Sequence, residues 1–147
     1  MKNLSKSKIL SSRQCAKKLW LEIHKKELAE DSQSSQKNFA IGNEIGEISQ
    51  LIYDPLGQGT LIDPFVDGFP FAFKKTQELL ADDEPIFEAA FSMEGGLVLA
   101  DILVRGKVDS AWRMIEIKSS TSVKDYHLDD VAIQHYVSKS ALSLIHI

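Results

Sequence analysis

The sequence predicts one α+β/α/β domain over residues 1–147, with a mixed β-sheet flanked by helices. Two observations predict it. Residues 86–118 contain runs of alternating apolar and polar residues that are typical of strands, whereas the segments on either side repeat apolar residues at helical spacing. Helices packed on a mixed sheet give this order of elements. A length of 147 residues suits a single domain with its own core.

The individual elements follow from periodicity and from turn residues. Glu94-Gly95-Gly96 supplies a turn, so the strands before and after it are predicted to form an antiparallel hairpin. Ser11 and Gln14 have capping-box spacing, which predicts the start of a helix. We expect strands at 60–62, 86–93, 97–104, 112–118 and 141–147, a polar loop at 30–36, and helices from Ser11 or Ser12 to about Lys26 and over 37–53, 73–81 and 128–140.

Two glycines interrupt the predicted helix 37–53. Gly42 and Gly46 are four residues apart, so they share one face of the helix. Because glycine costs about 1 kcal/mol in a helix interior, the pair needs a physical reason. We expect close approach of another backbone at this face.

The charge of the chain is unevenly distributed. Residues 1–26 contain eight Lys or Arg and one Glu, which gives +7, and the remainder carries −11 because the net charge is −4. A basic arm on an acidic body can contact phosphates, or it can be a solvated tail. The cations that we single out as candidate nucleic-acid contacts are Lys6, Lys8, Arg13, Lys17 and Lys18.

Several classes of protein are disfavoured by composition. No apolar run approaches the roughly 20 residues that span a bilayer, so no membrane partner is expected. The basic N-terminus lacks the apolar segment of a signal peptide. A single cysteine cannot form an intrachain disulfide, which suits a reducing cytoplasm.

Three polar residues stand out in the predicted strands. Asp101 lies in the strand 97–104, and Glu116 and Lys118 share one face of the strand 112–118. If these strands are neighbours, Asp101 lies close to Glu116, with Lys118 one pleat away. Two carboxylates beside an ammonium are suited to holding a divalent cation with oxygen ligands. A surface salt-bridge cluster is the alternative.

An Asp followed fourteen residues later by Glu-x-Lys resembles the core of the PD-(D/E)XK nuclease superfamily, in particular its RecB-like exonuclease branch. The resemblance implies a restriction-endonuclease-like fold and a nuclease that hydrolyses phosphodiester bonds, with DNA favoured over RNA. It further implies a Mg²⁺ or Mn²⁺ cofactor. The residues that it implies are Asp101 and Glu116 as catalytic metal ligands, the Ile117 carbonyl and Glu47 as further ligands, and Lys118 and Gln134 as catalytic groups.

Other parts of the chain resemble the same branch. Gly42–Ile48 is similar to a helix that carries a metal-binding His or Glu, although Gly46 stands where relatives often have the His. Glu88 resembles a Glu on the strand before the metal-binding Asp, and we expect it to be structural. Tyr136 resembles a residue that follows the Gln of this branch.

The opening Ser11–Glu22 resembles the start of CRISPR-associated exonucleases, in which one N-terminal and three C-terminal cysteines hold an iron–sulfur cluster. Cys15 occupies the N-terminal place, but one cysteine cannot supply four thiolates. The cluster is therefore not expected on this chain alone: either the cluster is absent, or the chain is a fragment of a longer protein. A module that binds nucleic acid or a protein without hydrolysis remains the alternative function.

Overall fold

The computed structural model describes residues 3–29 and 33–143. Its helices are α1 (Lys6–Gln14), α2 (Ala16–His24), α3 (Gln33–Tyr53), α4 (Pro64–Asp67), α5 (Phe69–Leu79) and α6 (Asp125–Ser143), with a 3-10 turn at Lys26–Leu28. Its strands are β1 (Leu4–Ser5), β2 (Thr60–Leu61), β3 (Ile86–Met93), β4 (Gly96–Arg105) and β5 (Trp112–Ile115).

The sheet is mixed and is flanked by helices, as expected. β3 and β4 form the predicted antiparallel hairpin around a turn at Gly95, whose φ of 80° is accessible to glycine. β5 pairs antiparallel with β4, whereas β1 pairs parallel with β4 and β2 parallel with β3. The hairpin therefore forms the centre of the sheet.

The core lies around the central hairpin. Alternate residues of β4 (Val98, Ala100 and Ile102) are buried, as the period of two requires. α5 and α6 pack on the sheet, and Thr76 of α5 accepts a hydrogen bond of 2.9 Å from the backbone N–H of Ala90. None of the helices in the described parts of the chain is long and apolar enough to cross a membrane.

The predicted N-terminal helix was wrong in its start and its continuity. α1 begins at Lys6, and Cys15 has extended backbone (φ −166°), which separates α1 from α2. Ser11 does not cap a helix but is buried inside α1, where its hydroxyl donates a hydrogen bond of 2.8 Å to Glu22. This bond ties the two helices together and removes the hydroxyl from any capping role.

The reason predicted for the glycine pair in α3 was also wrong. A Cβ built on Gly42 or Gly46 meets no heavy atom within 4 Å. α3 is loosely packed, since Phe39, Leu51 and Ile52 are 74%, 71% and 68% exposed. The glycine face of α3 therefore borders open space rather than another backbone.

Other boundaries differ by several residues. α3 begins at Gln33, within the segment predicted as a loop, whose residues 30–32 lie outside the described part of the chain. The predicted helix 73–81 is α5, which begins at Phe69. β5 ends at Ile115 rather than at 118. The start of the predicted last strand is wrong, because α6 continues to Ser143, and residues 144–147 are not described.

Candidate functional site

The site lies at one edge of β4. β3 pairs along one edge of β4, and on the opposite edge β1 pairs with Gly96 and Leu97 while β5 pairs from Ile102 onward. Residues 98–101 lie between these two short strands. α1 begins directly after β1, and the chain after β5 runs back along the same edge, so polar side chains from both segments meet there.

Glu116 is the centre of a polar network. Its Oε1 accepts hydrogen bonds from the ammonium groups of Lys6, at 2.9 Å, and of Lys118, and its Oε2 accepts one from the Gln134 amide. Both ammonium groups also contact Asp130, at 3.0 Å from Lys6 and 2.6 Å from Lys118. The carboxylates of Glu116 and Asp130 are almost fully buried, and two cations offset their two negative charges.

Asp101 lies next to this network. The pairing of Ile102 with Ile115 places Asp101 opposite Glu116 when the register is continued by one residue. The Oδ2 of Asp101 accepts a hydrogen bond of 2.7 Å from the backbone N–H of Ile117. Burial, followed by the negative charge of Glu116, raises the pKa of Asp101 from 3.8 to about 6. The two carboxyl groups therefore interact electrostatically.

Glu88 belongs to the same group of carboxylates. It follows Phe87 in β3, and the register places it opposite Asp101. Burial, followed by the charge of Asp101, raises the pKa of Glu88 from 4.5 to about 7. Glu88 and Asp101 line a cleft of about 200 Å³ that is also lined by Gly42, Asn43, Gly46 and Gln50 of α3. The open glycine face of α3 thus borders this cleft.

Glu116 and Lys118 line a second cleft, of about 470 Å³, between α6 and the loop that follows Lys118. The other polar side chains of this cleft are Ser120, Thr121, Ser122 and His127. Asp101 and Glu116 are therefore neighbours that line different clefts, and Ile117 lines the cleft of Asp101. Both oxygens of Glu116 already accept hydrogen bonds, which a bound cation would share or replace.

The side chain of Lys118 remains a cation. Burial lowers the pKa of Lys118, but its hydrogen bonds to Asp130 and Glu116 outweigh this effect and raise the pKa above its usual value. Burial likewise raises the pKa of Asp130, and the bonds from Lys118 and Lys6 reverse the shift and lower it. Near neutral pH, Lys118 therefore carries a positive charge and donates hydrogen bonds, and it does not act as a base.

The remaining predicted site residues lie elsewhere. Glu47 is exposed on α3 and does not line the cleft of Asp101. Tyr136 is exposed, and its hydroxyl donates to Glu94. Cys15 is exposed between α1 and α2. Since it is the only cysteine of the sequence, the residues of this chain do not fit an iron–sulfur cluster held by four thiolates.

The predicted basic residues differ in their surroundings. Lys6 lies in the polar network rather than on a free basic arm, because it follows β1 at the edge of β4. Arg13 pairs with Asp129 at 3.0 Å, and Lys18 donates to Gln14 at 2.7 Å. Lys8 is half-buried and Lys17 is exposed.

Sequence reasoning missed the roles of Asp130 and Lys6. Asp130 and Gln134 are four residues apart on α6, and both are buried. Two polar residues on one face of a predicted helix were the sequence signal that Asp130 belongs to the site. Nothing in the local sequence marks Lys6, whose position depends on a two-residue parallel strand. Within residues 3–29 and 33–143, no group of three or more His, Cys, Asp and Glu side chains is arranged to hold a metal ion.

Comparison with known proteins does not assign the chain to a family. No family model, curated protein or solved structure matches it.

Proposed function

We propose that the chain is a metal-dependent nuclease of the RecB-like, restriction-endonuclease-like type, which hydrolyses phosphodiester bonds in nucleic acid, with DNA as the favoured substrate. One observation carries the proposal. Asp101 lies opposite Glu116, and Glu116 is bonded to both Lys118 and Gln134. These are the four residues in which the sequence resembles that superfamily.

The donor chemistry fits a hard divalent cation. Asp101, Glu116 and the carbonyl of Ile117 would hold it, since Mg²⁺ and Mn²⁺ prefer oxygen ligands. Burial, followed by the negative charge of Glu116, raises the pKa of Asp101, and a bound cation would favour its ionised form. When bound, the metal supplies Lewis acidity for attack on the phosphodiester.

The side chains around the carboxylates have distinct tasks. The ammonium of Lys118 lines the second cleft, where it donates to the negative charge that develops on the phosphate. The Gln134 amide fixes the orientation of Glu116. The Oε1 of Gln134 is buried and has no hydrogen-bond partner among the described residues.

The proposal is tested by cleavage of labelled single- and double-stranded oligonucleotides in Mn²⁺. Asp101→Asn and Glu116→Gln should each lower kcat/KM by about 100-fold or more, since metal catalysis contributes several kcal/mol. Lys74→Ala removes an exposed cation of α5 and serves as the control. Activity of Asp101→Asn or Glu116→Gln equal to that of the parent would contradict the proposal.

A second function has its own supporting observation. Lys6 and Lys118 already offset the charge of Glu116 and Asp130, so a folded site needs no metal for charge balance. Such a site suits a module of the same fold that binds nucleic acid or a protein without hydrolysis. Calorimetric titration with Mn²⁺ separates the two functions. A nuclease should give a heat of binding that Asp101→Asn abolishes, whereas the non-hydrolytic module should give no such heat.

A further inference from the structure

An exposed aromatic pair lies on α2. Trp20 is 52% exposed, and its ring centroid lies 5.1 Å from that of His24, with an angle of 35° between the planes. None of the side chains of α2 is buried. A large indole left in solvent on a helix that contributes no side chain to the core suggests a contact surface.

The same helix borders a groove with a basic lining. This groove of about 670 Å³, beside α2 and the 3-10 turn, is lined by four lysines: Lys17, Lys18, Lys25 and Lys26. Trp20 and His24 do not line it, and Lys17 precedes Trp20 by about one helical turn. The acids nearby offset only part of this charge. Glu22 also lines the groove, and Glu27 pairs with Lys25 at 3.6 Å, so the four lysines outnumber the two acids.

We propose that α2 and the following turn bind single-stranded nucleic acid. A base stacks on Trp20, and the lysines contact the phosphates on either side of it. Both parts of the surface are needed for this partner, because a lysine groove alone fits any polyanion, whereas a stacking platform requires an unpaired base. Duplex DNA keeps its bases stacked inside the helix and cannot use the platform.

This inference rests on the proposed nuclease function, which identifies the bound strand as substrate. The position of α2 connects its surface with the proposed nuclease site. α1 begins at Lys6 in the polar network and ends at Gln14, next to α2. Nine helical residues span roughly 13 Å. The groove between α1, α2 and α6 is lined by Arg13 and Lys18 but also by Asp125 and Asp129, so it adds no net positive charge. A strand held on α2 that follows α1 would reach the polar network at Lys6.

Binding is measured in EDTA, without cleavage, by the fluorescence anisotropy of a labelled oligothymidylate. Trp20→Ala should weaken binding by about tenfold, and Trp20→Phe should retain most of the affinity. Phe65→Ala removes an aromatic ring that is 82% exposed on α4 and should change nothing. In a Trp112→Phe background, the oligonucleotide should quench the remaining Trp20 fluorescence.

The charge requirement is tested by Lys17→Ala with Lys25→Ala, compared with Lys74→Ala on α5. The first pair should weaken binding and lower its salt dependence, and the control should not. Equal affinity for a duplex of the same length, unchanged binding by Trp20→Ala, or equally tight competition by polyglutamate would each overturn the proposal. Because binding is measured in EDTA, where metal-dependent cleavage does not occur, a protein without nuclease activity can still bind through α2, so failure of the nuclease proposal and of this one are distinguishable.

Discussion

Glu88 lies opposite Asp101 in the register of β3 and β4, and its backbone has a φ of 56°, in the left-handed region. A residue with a Cβ rarely adopts this conformation, and strain of this kind costs on the order of 1–3 kcal/mol. The strained residue brings a second carboxyl group into the cleft that Asp101 lines. The strained backbone and the crowded carboxyl groups both reduce stability. Placing the carboxyl group of Glu88 in this cleft therefore lowers the free energy of unfolding.

The crowded carboxyl groups predict a specific dependence of stability on pH. The pKa of Glu88 rises from 4.5 to about 7 on folding, chiefly through burial and then through Asp101. The folded state therefore holds this proton more tightly than the unfolded state, and the free energy of unfolding should fall as the pH rises from about 4.5 through about 7.

The measurement is urea unfolding between pH 4.5 and 8. Glu88→Gln should flatten the curve and should be more stable than the parent at pH 8, because it removes a carboxylate that burial disfavours. Glu44→Gln, at an exposed position of α3, is the control and should leave the curve unchanged. Parallel curves for the parent and Glu88→Gln would show that Glu88 does not cause the pH dependence.

A divalent cation should reverse the pH effect if it binds beside Asp101. Mn²⁺ at a hundredfold excess over its Kd stabilises a protein by about 2.7 kcal/mol, which corresponds to a rise in Tm of roughly 5 to 10 °C. The rise should be larger at pH 8 than at pH 5.5, because protonation of Asp101, with a pKa of about 6, competes with the metal. Calorimetric scans of the parent and of Asp101→Asn measure it, and an equal rise in both would place the metal elsewhere.

The sequence predicted the centre of the sheet well, because alternation and the Glu94-Gly95-Gly96 turn are local signals. The predicted strand 86–93 matches β3, and continuing the β4–β5 register places Asp101 opposite Glu116. What failed depends on contacts between distant residues. Lys6 reaches the site through pairing of a two-residue strand with residues more than 90 positions away, which no local pattern encodes.

The N-terminal helices show a different cause of failure. Ser11 and Gln14 fit the spacing of a capping box, but a hydroxyl near a carboxylate on a neighbouring helix has a competing partner, and Ser11 bonds to Glu22 instead. Cys15 separates α1 from α2 by its extended backbone, and the helical spacing of Cys15, Ala16, Leu19, Trp20 and Ile23 gives no sign of this break.

Gln134 should contribute to stability through its bond to Glu116. Its side chain is 0% exposed, and removing the amide leaves an oxygen of a buried carboxylate without a donor. Gln134→Leu should therefore lower the free energy of unfolding by about 1–3 kcal/mol. Gln134→Glu should be worse at pH 8 than at pH 5, since it places a second carboxylate against Glu116. Urea unfolding at both pH values checks the pair, and equal losses at both would argue against direct contact with Glu116.

Lys6 and Lys118 make the same contacts but should differ in function. Both bind Glu116 and Asp130, whereas only Lys118 lines the second cleft. We expect Lys6→Met and Lys118→Met to destabilise the fold to a similar extent, and only Lys118→Met to lower kcat by about 100-fold, as for loss of one group that stabilises a transition state. Equal losses of kcat in the two variants would indicate that both lysines act through the charge balance of the network.

Substitution of Gly46 tests whether the cleft that Asp101 lines is used in catalysis, independently of a loss of stability. Because a Cβ at this position meets no atom within 4 Å, Gly46→Ala should stabilise α3 by about 0.5–1 kcal/mol. The added methyl group also enters the lining of the cleft that holds Asp101, so it should lower kcat/KM if nucleic acid or the metal enters there. Gly57→Ala, at a φ of 65°, is the control and should only destabilise. Thermal melting and cleavage assays measure both effects, and a stabilised Gly46→Ala variant with unchanged kcat/KM would show that the substrate uses the other cleft.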